Sequence, residues 1–316
     1  MTLAKPKVLF QGMLPPGWNA IGQEQFGAHG FEGVLAGRDT YRPEEISYFS
    51  GFRPKPGFLK SLPGLKAVIS LGAGVDGFLR DPEYPPNVPL VRFVDPTLIH
   101  EMAQYVTMHV LIIHRGQRFF DAAQRQRQWR QRMLARPSRD TRIGLLGLGD
   151  IGTAIAQGLI PFDFQLSGWS QSRKHVPGVR SYAGDGELGA FLAQCDICVC
   201  VLPLTDKTRG ILNAALFAKL PRGAWVINVA RGGHLIEQDL IAALDSGHLG
   251  GAVLDVFERE PLPPESPVWS HPKITATPHI AALTDTKAAL EFIGDSVRRA
   301  EAGQPLLHVV DPARGY

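Results

Sequence analysis

The sequence has no apolar run approaching the roughly 20 residues that span a bilayer. Its first residues, MTLAKPKVLFQG, lack the apolar core and small-residue cleavage site of a signal peptide. A cytoplasmic protein with no membrane association is the expectation. Cysteine is scarce: Cys195, Cys198 and Cys200 are the only three, all within CDICVCVLP. The first two have C-x-x-C spacing, but a structural zinc site needs four ligands and no second pair exists, so no metal is expected. Alternation along a strand instead puts Cys198 and Cys200 on one face and Cys195 on the other, as small apolar core residues. Excess charge is also missing. A net charge of +3 gives the chain as a whole no nucleic-acid footprint. Arg125, Arg127, Arg130, Arg132 and Arg136 around Trp129 therefore read as a solvated helix face or a subunit contact.

What is present suits a large folded protein. With 316 residues, 44% of them hydrophobic, the chain can bury two cores, and its composition rules out a disordered or collagen-like polymer. In the first hundred residues KVLFQG, GVLA, ISYFSGF, LKAVISLGAG and PLVRFV are short apolar runs separated by helix-sized spacers, the pattern of a small parallel sheet. From Pro96 the texture changes to a long helical pattern, LIHEMAQYVTMHVLIIHRGQRFF, continuing into the Arg/Gln-rich stretch that ends near Pro137. One long helix and a second helical segment follow from it. A second α/β series then begins, with RIGLLGLG, FQLSGWS, CDICVCVLP, AWVINVARG, GGAVLDVF and KITATPHI as six buried strands of a doubly wound sheet. The segment from Thr284 to about Arg299 is again helical, and folding back on the first sheet would make the first domain discontinuous.

Gly147-Leu-Gly149-Asp150-Ile151-Gly152 directly follows the strand RIGLL and opens an amphipathic helix. The spacing has a mechanism: Gly147 makes the turn, Gly149 lets backbone approach a pyrophosphate, Gly152 packs helix on strand, and the helix N-terminus faces the phosphates. About twenty residues later, where an acid would hold both ribose hydroxyls of NAD, no carboxylate is found. Gly168-Trp169-Ser170-Gln-Ser172-Arg173-Lys174 stands there instead. Hydroxyls and a guanidinium suit a 2′-phosphate, so NADP(H) is the expected cofactor, with NAD(H) possible at lower preference.

Three later strand ends carry further chemistry. Asn228-Val-Ala-Arg231-Gly-Gly, Asp255-Val-Phe-Glu-Arg-Glu260-Pro261 and Thr277-Pro278-His279 bring an Arg, a Glu and a His to the C-terminal edge, where ligands of open α/β sheets bind. An Arg can hold a carboxylate in two-point geometry, and an acid beside an imidazole suits a general acid. In the first half, Leu71-Gly72-Ala73-Gly74-Val75-Asp76 ends a strand with small residues whose consecutive N–H groups can form an anion-binding concavity. An anion held between two domains is the combined expectation.

With these motifs together the chain resembles, along nearly its full length, the D-2-hydroxyacid dehydrogenase family. SLGAGVD, WSQSRK and PGVRSYAG look most like that family's glyoxylate/hydroxypyruvate reductase A group. The resemblance implies a Rossmann-type doubly wound parallel sheet (98–283, dinucleotide-binding) inserted into a smaller flavodoxin-like α/β substrate domain (1–97 plus 284–316). It implies NADPH-dependent reduction of a small 2-oxo acid to the D-2-hydroxy acid. Arg231 would bind substrate, Glu260 pair with His279, His279 give the proton, and the amides of Ala73, Gly74 and Val75 receive the carboxylate. Gly147, Gly149, Asp150, Ile151, Gly152, Ser170, Ser172, Arg173 and Lys174 would hold the cofactor. A homodimer joined through the helices after Pro96 is implied as well. Family members often shape the substrate pocket with an aromatic after ISYFSGF, and here Phe49 or Phe52 would serve. The reading from another class is a non-enzymatic NAD(P)H-binding regulator on the same fold.

Overall fold

The computed structural model describes residues 5–11, 18–312 and 315. The chain divides into two compact units, one running to Leu98 and resuming at Leu283, the other Ile99–Ala282.

In the first unit β1 (Lys7–Gln11), β2 (Glu32–Leu35), β3 (Ile46–Gly51), β4 (Ala67–Ser70) and β5 (Leu90–Val91) form one sheet in the order β2-β1-β3-β4-β5. Every pairing is parallel. This is the flavodoxin-type order. Each of the five apolar runs read from the sequence is a strand, because a parallel sheet covered on both faces needs nearly continuous apolar side chains. Short helices α1 (Gln23–Ala28) and α2 (Asp76–Leu79) lie along this half. Phe10, Trp18, Phe26 and Phe31 pack ring on ring beside β1, and a second cluster gathers Leu9, Phe49, Val68 and Phe78.

The long helix α3 (Pro96–Arg115) leads out of this unit, and α4 (Gln117–Arg125) follows after Gly116, whose φ of 66° breaks the helix. Helix ends there, short of Pro137. Residues 126–137 are exposed and mostly irregular, Trp129 at 94% exposure, because no apolar periodicity remains to bury a helical face. The arginines beyond Arg125 therefore lie on an irregular exposed segment, not a helix face.

The second unit holds β6 (Arg142–Leu146), β7 (Gln165–Ser170), β8 (Val179–Ala183), β9 (Ile197–Cys200), β10 (Ala224–Asn228), β11 (Leu249–Leu254) and β12 (Ile274–Ala276). Their order, β12-β11-β10-β9-β6-β7-β8, is the doubly wound one, with its reversal between β6 and β9. Helices α5 (Asp150–Leu159), α6 (Gly184–Leu192), α7 (Ala214–Phe217) and α8 (Glu237–Asp245) connect them. The sheet has seven strands where six were expected; β8 is the addition. Cys195, Cys198 and Cys200 are free and buried in one core cluster. Cys195 therefore does not face away from the other two. It precedes β9, in the turn after α6, where the two-residue alternation of a strand does not operate.

Helix α9 (Thr286–Glu301) belongs to the first unit, capped at its start by the Asp285 carboxylate, which accepts the Ala288 N–H at 2.8 Å. Its Glu301 reaches Tyr48 at 2.6 Å and Lys66 at 2.7 Å, and the chain beyond it pairs antiparallel with β5. Among the described residues no helix is long and apolar enough to cross a membrane, and no group of three His, Cys, Asp or Glu could hold a metal ion.

Candidate active site

The glycine loop of the second unit is built to admit a phosphate. Gly147 closes the turn after β6 with φ +113°, and its N–H donates to the Trp169 carbonyl at 2.8 Å. A Cβ on Gly152 would collide with the Gly147 carbonyl, so α5 packs against the turn only without one. Gly149, by contrast, faces open space. Together with the α5 first turn, whose leading N–H groups have no partner within the helix, that opening fits a dinucleotide pyrophosphate. Asp150 opens the helix and Ile151 packs partly into the core beside Ile155.

Beyond β7, Ser170 Oγ donates to the Ser172 carbonyl at 2.8 Å and the Lys174 N–H donates to Ser181 Oγ at 3.3 Å. Arg173, expected from the sequence to meet the 2′-phosphate, is itself held by the chain. Its Nη1 donates to the Ser181 carbonyl at 2.8 Å and its Nη2 to Glu187 Oε1 at 2.6 Å.

At the other half of the same sheet edge, His279 and Glu260 meet: Nδ1 lies 2.8 Å from Oε2. Since the carboxylate only accepts, Nδ1 carries the N–H in the neutral ring. The other carboxylate oxygen accepts the Phe257 N–H at 2.9 Å, which fixes the acid and, through it, the ring plane. Nε2 makes no hydrogen bond among the described residues, and the side chain is 42% exposed. His279 has φ +56°, a left-handed conformation uncommon for a non-glycine residue.

That conformation is held from beneath by Asp255, a residue whose role the sequence reading did not assign. Its carboxylate is buried and accepts the N–H of Ile280 and of Ala281, each at 2.9 Å, and the Thr277 hydroxyl at 2.6 Å; its carbonyl accepts the His279 N–H at 2.8 Å. Because Thr277 spends its one hydroxyl proton on Asp255, the Tyr105 hydroxyl at 2.5 Å must be the donor to Thr277. Burial pushes the Tyr105 phenol up to about 12, so it stays a donor at any physiological pH. The available signal was an acid ending an otherwise apolar buried strand, where a carboxylate survives only if surrounding donors satisfy it.

Arg231 leaves the end of β10, next in the sheet to β11. The fully buried Asn228 brackets its backbone, accepting the Ala230 N–H at 3.2 Å and donating to the Arg231 carbonyl at 3.1 Å. A Cβ on the next residue, Gly232, would strike the Phe257 backbone, so the loops after β10 and β11 are pressed together. The registers Asn228↔Leu254 and Leu254↔Ala276 put Arg231 and His279 each three residues beyond level positions, two strands apart. Strand spacing makes those ends about 10 Å apart.

In the first unit, the turn after β4 is shaped by Ser70, whose Oγ both donates to the Gly72 carbonyl at 2.9 Å and accepts the Gly72 N–H at 3.2 Å. The N–H groups of Ala73, Gly74 and Val75 donate to no acceptor among the described residues. Phe49 is fully buried in the core, whereas Phe52 is partly exposed with its ring against Gly72, so Phe52 is the aromatic beside the turn.

Comparison with known proteins places these features in a family. Residues 107–281 match the model of the D-isomer specific 2-hydroxyacid dehydrogenase, NAD binding domain. Among solved structures, a D-isomer specific 2-hydroxyacid dehydrogenase from Xanthobacter autotrophicus Py2 in complex with NADPH and MES is 40% identical, covering 99% of this chain and 100% of that one, with a TM-score of 0.91. An NADPH-dependent glyoxylate/hydroxypyruvate reductase from Sinorhizobium meliloti, in complex with NADP and sulfate, is 39% identical over 99% and 100% of the two chains, TM-score 0.88. A probable 2-hydroxyacid dehydrogenase from Rhizobium etli CFN 42, in complex with NADP, HEPES and L(+)-tartaric acid, is 34% identical over the same shares, TM-score 0.91.

Proposed function

Because the chain belongs to the D-isomer specific 2-hydroxyacid dehydrogenase family, we propose that it reduces a small 2-oxo acid of the glyoxylate/hydroxypyruvate type to the D-2-hydroxy acid with NADPH. The observation that carries the proton-transfer half is the His279–Glu260 pair, locked by the Phe257 N–H and leaving Nε2 unengaged. For the coenzyme half, the support is the open glycine loop, the absence of an acid after β7, and relatives solved with NADP or NADPH.

Bound coenzyme supplies the hydride that adds to C2 of the oxo acid. The chain's own residues do the rest. Arg231 holds the substrate carboxylate and carbonyl oxygen with its fork of N–H donors. In its doubly protonated form His279 gives up the Nε2 proton to that oxygen as it takes up the electron pair of the former carbonyl bond, which yields the hydroxyl and leaves a neutral ring with its N–H on Nδ1. General acid help of this kind contributes about 10² to 10⁴ in rate. Glu260 keeps the ring oriented through Nδ1, and the unengaged amides of Ala73, Gly74 and Val75 receive the carboxylate. On this reading the unit divided by the insertion is the substrate domain, the inserted unit the coenzyme domain, and the working molecule a homodimer.

The test is a panel of 2-oxo acids against NADPH and NADH, followed by loss of reduced-nicotinamide absorbance. The highest kcat/KM is expected for glyoxylate or hydroxypyruvate with NADPH. Coenzyme binding with no turnover on any acid would instead support a non-enzymatic regulator.

A further inference from the structure

We propose that Glu187 is a positioning residue for coenzyme choice: it holds the Arg173 guanidinium at the ends of β7 and β8 so that its remaining donors grip the 2′-phosphate of NADP(H). The inference rests on the NADPH reading above and adds the group that orders its cation.

Arg173 is 59% exposed, and a lone arginine at such a place would sample many rotamers. Here two of its nitrogens are tied down, one to the Ser181 carbonyl on β8 and one to Glu187 on α6. Glu187 is itself fixed, because its Oε2 reaches back to accept the N–H of Ala183, the residue that caps α6, at 2.8 Å. That bond first, and Arg173 second, hold the Glu187 carboxyl below the usual carboxylate range, so it is ionised at neutral pH. The chain of contacts runs from helix to carboxylate to guanidinium without a loose link.

A guanidinium has five N–H donors in a planar fork. Arg173 uses two, and Nε–H with one further N–H on each terminal nitrogen has no partner among the described residues. A planar pair of donors therefore remains for a phosphate. Exposed ion pairs contribute little to stability, so holding the fold together is a weak account of this one. An arginine already ordered loses less freedom on gripping a phosphate than a free one. The Glu187 charge also repels an incoming phosphate, so the sign of the Glu187→Ala effect separates preorganisation, which predicts weaker binding, from repulsion, which predicts tighter binding.

The test is calorimetric titration of the whole chain with adenosine 2′,5′-bisphosphate and, separately, adenosine 5′-phosphate. Wild type should prefer the bisphosphate. Glu187→Ala should weaken the bisphosphate about 5-fold and leave the monophosphate unchanged, with Glu187→Gln, which keeps one accepting oxygen, in between. In an Arg173→Ala background, Glu187→Ala should add nothing further. Equal binding of both ligands by wild type overturns the NADPH reading and this inference with it. A wild type that discriminates overturns the inference alone in any of three cases: Glu187→Ala leaves the bisphosphate unchanged or tighter, weakens both ligands alike, or acts without Arg173.

Discussion

At the C-terminal edge of the seven-stranded sheet, His279 meets Glu260 and Arg173 meets Glu187, and the two pairs are held differently. At β10 to β12, the Glu260 carboxylate that meets His279 is pinned by a backbone N–H, and the loop under the imidazole rests on Asp255, 1% exposed and hydrogen-bonded on both oxygens. At β7 and β8, Arg173 and Glu187 pair on the surface, 59% and 41% exposed, leaning on one strand carbonyl and one helix-start N–H. Proton transfer depends on sub-ångström placement, which buried and fully satisfied groups can enforce. Distinguishing a phosphate from a hydroxyl depends mainly on charge, which an exposed guanidinium supplies. On the proposed reading, the half of the site that does chemistry is anchored from beneath by a buried carboxylate, and the half that selects the coenzyme is anchored at the surface.

That contrast orders the expected effects of substitution. Arg231→Ala should be the most damaging: two charge-assisted hydrogen bonds of about 1.5–3 kcal/mol each amount to roughly 10² to 10⁴ in kcat/KM. Coenzyme affinity should hold, and steady-state kinetics with a separate coenzyme titration checks both. Asp255→Asn comes next. It turns an acceptor of three donors into a group that must place its own N–H₂ among them, so we expect about 2–3 kcal/mol less stability in denaturant unfolding and a fall in kcat as the His279 loop relaxes. Arg173→Ala should be milder, raising the NADPH dissociation constant about 10-fold while leaving NADH nearly unaffected and the unfolding midpoint unmoved. Comparable losses for both coenzymes would erase the contrast between the two halves.

The smallest expected effect is a dependence of stability on pH. Burial holds the His109 imidazole below its ordinary range, with the Asp255 charge pulling weakly the other way. The folded state therefore binds fewer protons than the unfolded chain. The associated stability is complete above the unfolded value of about 6.5 and declines as pH falls toward the lower folded value, by at most about 1.4 kcal/mol per pH unit. Tm measured between neutral and mildly acidic pH should decline less steeply in His109→Gln than in wild type.

Much of this architecture was legible in the amino-acid sequence because parallel strands buried on both faces leave unmistakable apolar runs. The exception, β8, buries only Tyr182 among its five residues, so nothing in VRSYA stands out as a strand. Helix was read too far, toward Pro137, because the arginines and glutamines there are good helix formers, but no apolar stripe survives to pack them. Arg231, Glu260 and His279 could be singled out as candidates because each follows its strand in a recognisable motif. Asp255 and Glu187 could not, since what each does is defined by partners more than ten residues away in sequence: Asp255 by Thr277, Ile280 and Ala281, Glu187 by Arg173. The choice between Phe49 and Phe52 needed the register of β3, which only the fold supplies.

The most direct measurement is turnover of NADPH with glyoxylate by His279→Ala, made alongside NADPH titration of the same preparation. A loss of at least about a hundredfold in kcat with unchanged coenzyme affinity is the predicted result. Turnover close to wild type would contradict the account, because the proton would then come from somewhere other than the imidazole held by Glu260.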